Sequence, residues 1–280
     1  MLLGAAFRKS PNSNDRRIVM LNGSNTGAAL FVSKILRSVG ISQTLVCETD
    51  ILPYVCRLQN ATHVKIYHKV NRRLVSSFPS KYNEEVYENV KAIFPELELA
   101  DNVLQTSLSN INAVLHPPGM ILNTGWIEHK GGNFLFYSEG VTTGVANTIE
   151  YVDRERLAII KKLKLKGETF SELFYRYGFS SAIYPSVYET IKSSDIVKPI
   201  GAPDKLDHRY LLEDIGYGLV PMTSIAKVIG VQTPTIDSLI NIASILNNVN
   251  HWEAGLTAKK IGMLDTDLAK IKSYLHDGLY

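Results

Sequence analysis

Asn112 and His116 stand four positions apart in Asn110-Ile111-Asn112-Ala113-Val114-Leu115-His116-Pro117-Pro118. On a helix that spacing puts both side chains on one face. Pro117 and Pro118 are expected to disturb the helix at His116, and a helix end there would favour a protonated ring. A histidine whose charge changes near neutral pH, held beside an amide, is what proton transfer needs. The same stretch equally suits a histidine that merely caps a helix end. In His208-Arg209-Tyr210-Leu211-Leu212-Glu213-Asp214, Arg209 and Glu213 have the spacing of a surface ion pair. A functional reading gives Arg209 a substrate carboxylate to hold by two parallel bonds and Asp214 a distant histidine whose tautomer it sets. Spacing does not choose between them.

Two earlier segments have the composition of a ligand site. Gly23-Ser24-Asn25-Thr26-Gly27 joins a strand-like run to a helix-like one, and free N–H groups at such a junction can hold an anion. The turn lacks the GxGxxG spacing of a dinucleotide site, so a plain strand–helix turn is the favoured reading. The loop Glu48-Thr49-Asp50-Ile51-Leu52-Pro53-Tyr54-Val55-Cys56 follows a strand and so lies where open sheets bind ligands. Glu48 and Asp50 can orient a polar ligand and Cys56 can touch one. Acids that cap the loop and a small buried thiol explain the same composition.

The elements that must position these groups change character along the chain. Residues 17–22, 44–47 and 64–70 read as strands, and 28–39 and 84–94 as helices, which suggests a parallel α/β layer. Beyond about residue 101 helical periodicity dominates, with helices expected at 102–115, 148–163, 170–177, 206–214, 223–229, 234–246 and 266–275. The boundary rests on this change of period, with no flexible spacer or internal repeat. Hydrophobic residues make up 45% of the 280 residues, enough for a substantial core. A net charge of +3 argues against nucleic acid or an anionic membrane as the main partner. The basic run Lys161 to Lys166 reads as a solvated face. Cys47 and Cys56 form no ligand cluster, so no metal is expected, and so few thiols fit a reducing, cytoplasmic compartment. The apolar start at residues 1–7 is followed, not preceded, by Arg8 and Lys9, which reads as an interior piece of a fold rather than a secretion signal.

The stretches LNGSNTGAAL, ETDILPYVCR, DNVLQTSLSNINAVLHPPGMILNTGWIE, FYSEGVTTGVANTIEYVDRERLAI, RYLLEDIGYGLVP and TPTIDSLINIASIL, in this order, resemble the octopine/opine dehydrogenase family from about residue 17 to 263. The resemblance implies the later part of a Rossmann-like parallel sheet domain over 1–98, then an all-helical substrate domain over 99–280. It implies reductive condensation of an amino acid with an α-keto acid such as pyruvate, through an imine, using NADH or NADPH. It carries catalysis to His116 with Asp214 as its acidic partner, and substrate binding to Arg209 and Asn112. Cys56 and Glu48 match the loop at the nicotinamide end of the cleft. The family's GxGxxG turn is expected upstream of Arg17 and is not in the sequence. Asn22-Gly23-Ser24 stands where relatives have Asn-Pro-Gly, Trp126 where a basic residue is expected, and Thr143 where relatives often have Pro. A non-catalytic binding module or decayed copy is the alternative, and a relative that makes metal-chelating opines is a third reading. Retention of Asn112, His116, Arg209 and Asp214 favours an enzyme. Neither the two substrates nor the oligomeric state is written in the sequence.

Overall fold

The computed structural model describes residues 17–263 and 267–278. The apolar start, Arg8, Lys9 and the first residue of the expected helix 266–275 lie outside them. The described chain is a small sheet layer followed by helices, with one isolated bridge between Leu135 and Gly201 after the last strand.

Strand β1 (Ile18–Leu21) pairs in parallel with β2 (Leu45–Thr49) across helix α1 (Ala28–Ser38). The expected strand at 64–70 is present but leaves this sheet. It forms β4 (His63–Lys69), paired only with β3 (Tyr54–Asn60) in an antiparallel hairpin. Strand β5 (Arg73–Phe78) returns beside β2 in antiparallel register, and β6 (Leu97–Leu99) runs parallel to β5 after helix α2 (Asn83–Lys91). The sheet order is therefore β1-β2-β5-β6, and one of its three pairings is antiparallel. Side chains alternate across it. Leu45, Cys47 and Val75 pack with Val86 and Val90 of α2 in a small cluster, while Val46 joins the main core.

The expected helix at 102–115 is broken. Helix α3 (Val103–Leu108) starts at Asn102, whose side chain accepts from the amides of Leu104 and Gln105. It ends because Thr106, Ser107 and Ser109 turn their hydroxyls back onto the carbonyls of Val103 and Gln105. Helix α4 (Asn112–Leu122) then begins afresh, with the Asn110 side chain on the Asn112 amide. Pro117 and Pro118 lie inside α4, and the helix runs on through both. His116 is thus an interior helix residue, so the expected helix end and its pull toward a charged ring are absent.

The 21-residue helix α6 (Thr143–Leu163) is the spine of the helical part and follows α5 (Thr124–Lys130). Its fully buried Arg156 donates to Asp153, to the Leu108 carbonyl at the end of α3, and to the Glu168 carbonyl ahead of α7 (Phe170–Arg176). Helix α8 (Val187–Ser193) packs on α6. Helix α9 (Arg209–Glu213) passes directly into a π-helical segment, Asp214–Leu219, and then α10 (Val220–Val228). Helices α11 (Pro234–Asn247), α12 (His251–Ala254) and α13 (Leu268–Asp277) close the chain. Among the described residues no helix is long and apolar enough to cross a membrane.

Sheet and helices are tied together through Asp50. Its buried carboxylate accepts from the Leu74 amide at 2.9 Å, from Arg176 at 2.8 Å and from the Tyr177 hydroxyl at 3.1 Å. Burial raises the Asp50 pKa, and the adjacent Arg176 guanidinium opposes the shift.

Candidate functional site

His116 points from the first half of α4 toward the π-helical turn. Its Nδ1 lies 2.7 Å from Asp214 Oδ2, and both residues are 6% exposed. Asp214 opens a π-helical turn, wider in radius and closed by i→i+5 bonds, a feature common at functional sites. Gly218 in that turn is what lets the two helices meet: a Cβ there would stand 2.4 Å from the Ala113 Cβ. On its other edge His116 Nε2 lies 3.1 Å from the Tyr137 hydroxyl. Gly119 admits the Phe136 ring beside Tyr137, because a Cβ at 119 would sit 2.7 Å from that ring. The Tyr210 ring stacks on the imidazole at 3.6 Å between centroids and 9° between planes.

These contacts fix a proton arrangement. Burial, with Tyr210 as a lesser cause, holds the Tyr137 pKa well above its ordinary value, so its hydroxyl keeps a proton that it can donate. With Asp214 accepting at Nδ1, the network orients the ring so that its tautomer with the proton on Nδ1 presents the Nε2 lone pair toward Tyr137 and the cavity.

The ring edge forms the floor of a cavity of about 190 Å³. Asn112, Cys56 and Arg209 line it with His116. Arg209 does both things its spacing allowed: it lines the cavity and also pairs through Nε with Glu213 at 3.3 Å, its side chain 58% exposed. Five of the six expected site residues therefore converge, Asp214 from behind the histidine. Glu48 does not join them. It is fully buried, with its carboxylate on the Ala29 amide at the start of α1 (2.9 Å) and on the Thr106 hydroxyl (2.9 Å). Desolvation pushes its pKa up to about 8. Glu48 thus holds a helix start, the plain reading of that loop, and Asp50 is likewise consumed by the tie to Arg176.

Tyr137, Tyr210 and Arg57 belong to the site and carry no sequence signal of their own. Tyr210 and Arg57 adjoin the expected Arg209 and Cys56; Tyr137 lies in FYSEG, a stretch read only for resemblance.

Most amides of the Gly23–Gly27 turn and the helix start after it are already committed within the protein. Gly23 and Ser24 donate to Thr49, Gly27 to Ser107, Ala28 to Asn25, and Ala29 to Glu48. By contrast Ile51, Leu52, Val55 and Cys56 give the cavity a largely apolar wall at the carboxyl end of β2, with the Asn112 amide close by. That wall fits a flat, amide-bearing ring such as nicotinamide. Among the described residues no group of metal-ligating side chains is assembled.

Residues 99–247 match the model of the NAD/NADP octopine/nopaline dehydrogenase alpha-helical domain. The chain belongs to the octopine/nopaline dehydrogenase family. Among relatives in that family, the opine dehydrogenase of Arthrobacter sp. (strain 1C) is 31% identical over 261 residues, 93% of this chain and 72% of the relative. Protein ocs of Agrobacterium tumefaciens (strain Ach5) is 31% identical over 252 residues, covering 88% and 68%. The fold is that of octopine dehydrogenase solved with NADH and L-arginine: the TM-score is 0.73 at 18% identity, over 99% of this chain and 76% of that one. The match to the octopine/nopaline dehydrogenase helical domain takes in α3 to α11, and with them His116, Asp214 and Arg209.

Proposed function

We propose that this chain carries the acid–base and substrate-holding site of an NAD(P)H-dependent opine dehydrogenase, which condenses an amino acid with an α-keto acid such as pyruvate and reduces the imine to a secondary amine. One observation carries the reading: His116 stands between Asp214 and Tyr137 at the floor of a cavity that Arg209 also lines. Ile51, Leu52, Val55 and Cys56 would face the nicotinamide, which when bound supplies hydride to the imine carbon.

The residues then have distinct tasks. Arg209 approaches Glu213 through Nε, and its terminal nitrogens can grip the keto-acid carboxylate as a fork. Asn112, on the same helix face as His116, orients a polar group of the substrate. Tyr137 holds the His116 lone pair in place until the substrate ammonium takes over at Nε2. His116 Nε2 removes one proton from the ammonium, so the nitrogen can attack the keto carbon. The same Nε2 returns that proton to the oxygen and then carries a second proton from the adduct nitrogen to the resulting hydroxyl, which leaves as water, while the nitrogen keeps the third proton in the protonated imine. Asp214 fixes the tautomer throughout and stabilises the transient imidazolium. The burial of this cluster keeps bulk water from the imine.

Product analysis tests the reading. The protein is incubated with NADH or NADPH, pyruvate and a panel of amino acids, and products are resolved by mass. Opine chemistry gives the sum of both substrates less one oxygen atom. Lactate with no condensed product would overturn it in favour of a plain keto-acid reductase.

A further inference from the structure

The reaction proposed above must hold two carboxylates, one from each substrate, and Arg209 accounts for one. Arg57, the other guanidinium lining the cavity among the described residues, comes from β3. Its Nη1 donates to the Cys56 carbonyl at 2.9 Å and its Nη2 to the Tyr210 hydroxyl at 2.5 Å. These bonds fix the plane of the guanidinium without neutralising it. Among the described residues no carboxylate lies within ion-pairing distance of Arg57. A half-buried arginine held by two neutral oxygens keeps its full charge and part of its hydrogen-bonding fork for something else.

Past the Arg57–Tyr210 contact the cavity continues. A second chamber of about 490 Å³ shares Cys56, Arg57, Arg209 and Tyr210 with the first and adds His208. Leu58, Tyr67 and Pro203 supply its apolar walls, and among the described residues no carboxylate lines either chamber. Arg57 therefore stands at the passage between the acid–base floor and an outer chamber large enough for an amino-acid side chain.

We propose that Arg57, braced by the Tyr210 hydroxyl, is the residue that holds the amino substrate's carboxylate, with that substrate's side chain lying in the outer chamber. The inference rests on the opine dehydrogenase reading. The condensed product then spans the two arginines, one carboxylate on Arg209 and the other on Arg57, with its nitrogen over His116 Nε2. The chamber's positive lining with no acid selects apolar or anionic side chains over cationic ones.

Calorimetric titration separates the two arginines, with NAD+ or NADP+ present. Oxamate, with one carboxylate beside a keto-like carbonyl, reports the Arg209 end. Iminodiacetate, a secondary amine with two carboxylates, reports both. Arg57→Gln is expected to weaken iminodiacetate by roughly 10- to 100-fold, the scale of a lost charge-assisted bond, and to leave oxamate within about twofold. Arg209→Gln should weaken both ligands, and Arg57→Lys should recover part of the iminodiacetate affinity. Tyr210→Phe, which removes only the brace, should give an intermediate loss for iminodiacetate. Equal losses of both ligands in Arg57→Gln, or no loss of either, would overturn the assignment, since a purely structural role would not discriminate between them. Wild-type protein that binds oxamate and not iminodiacetate would refute the Arg57 subsite alone. Binding of neither ligand would remove the opine dehydrogenase reading with it.

Discussion

At the residue scale the site is a buried imidazole with each nitrogen committed. Nδ1 faces a carboxylate and Nε2 a hydroxyl that cannot ionise near neutral pH. Asp214→Asn would keep the shape and offer the wrong tautomer, because an amide NH2 can donate to Nδ1 and leave the proton on Nε2. Turnover is expected to fall by about 10²–10⁴-fold with little change in substrate affinity, which steady-state kinetics would resolve; unchanged kcat would remove Asp214 from the mechanism. Tyr137→Phe should cost less, because Nε2 loses its resting partner and keeps its tautomer. Asn112, His116, Arg209, Asp214 and Cys56, picked out by residue type and spacing joined to resemblance, are brought together by the fold. Tyr137, Tyr210 and Arg57 were not legible in the sequence, since each acts by contact with a residue distant in sequence: Tyr210 meets Arg57 across 153 positions. Glu48 shows the opposite failure. A carboxylate beside a ligand loop has the same local sequence whether it faces the ligand or a helix start.

At the scale of elements, the contact between α4 and the π-helical turn decides whether His116 and Asp214 meet. Gly218→Ala would drive a methyl into Ala113, and overpacking of this kind costs about 1–3 kcal/mol. Loss of activity in that variant should exceed its loss of stability, as judged by thermal unfolding beside kinetics. Glu48 gives a pH prediction. Its folded pKa of about 8 lies above the ordinary 4.5, so between these values the folded state holds a proton that the unfolded state has released. Stability is therefore fullest below 4.5 and declines as pH rises through 8, by about 5 kcal/mol at most. Glu48→Gln should flatten that decline in melting curves taken from pH 5 to 8; an unaltered slope would show that Glu48 is not its source. The element pattern was readable where burial is one-sided, as in α1 and α6. It failed for β5, whose RLVSSF sequence is buried on both faces yet carries an arginine and two serines, and for β3, which is largely exposed. It failed again at 109–111, where hydroxyl back-bonding interrupts an apolar period that sequence reads as continuous.

For the whole molecule, the proposed function requires the sheet layer to present residues 51–57 to the helical part. The Asp50–Arg176–Tyr177 cluster is the buried polar tie that sets this approach. Arg176→Met would leave the Asp50 carboxylate buried without its cation, an error worth about 3–5 kcal/mol, visible as a lowered denaturation midpoint. The division into layers was legible because strand and helix periods differ. The side chains that lock the layers together were not, because Asp50 and Arg176 lie 126 positions apart. The central claim is that His116 moves the proton in amine–ketone condensation. Its most direct test compares wild-type protein with His116→Ala in NAD(P)H oxidation that requires both pyruvate and an amino acid. The account predicts oxidation by the wild type only when both substrates are present, and a turnover about 10²–10⁴-fold lower in the variant. Equal turnover in the two proteins, or oxidation indifferent to the amino acid, would contradict it.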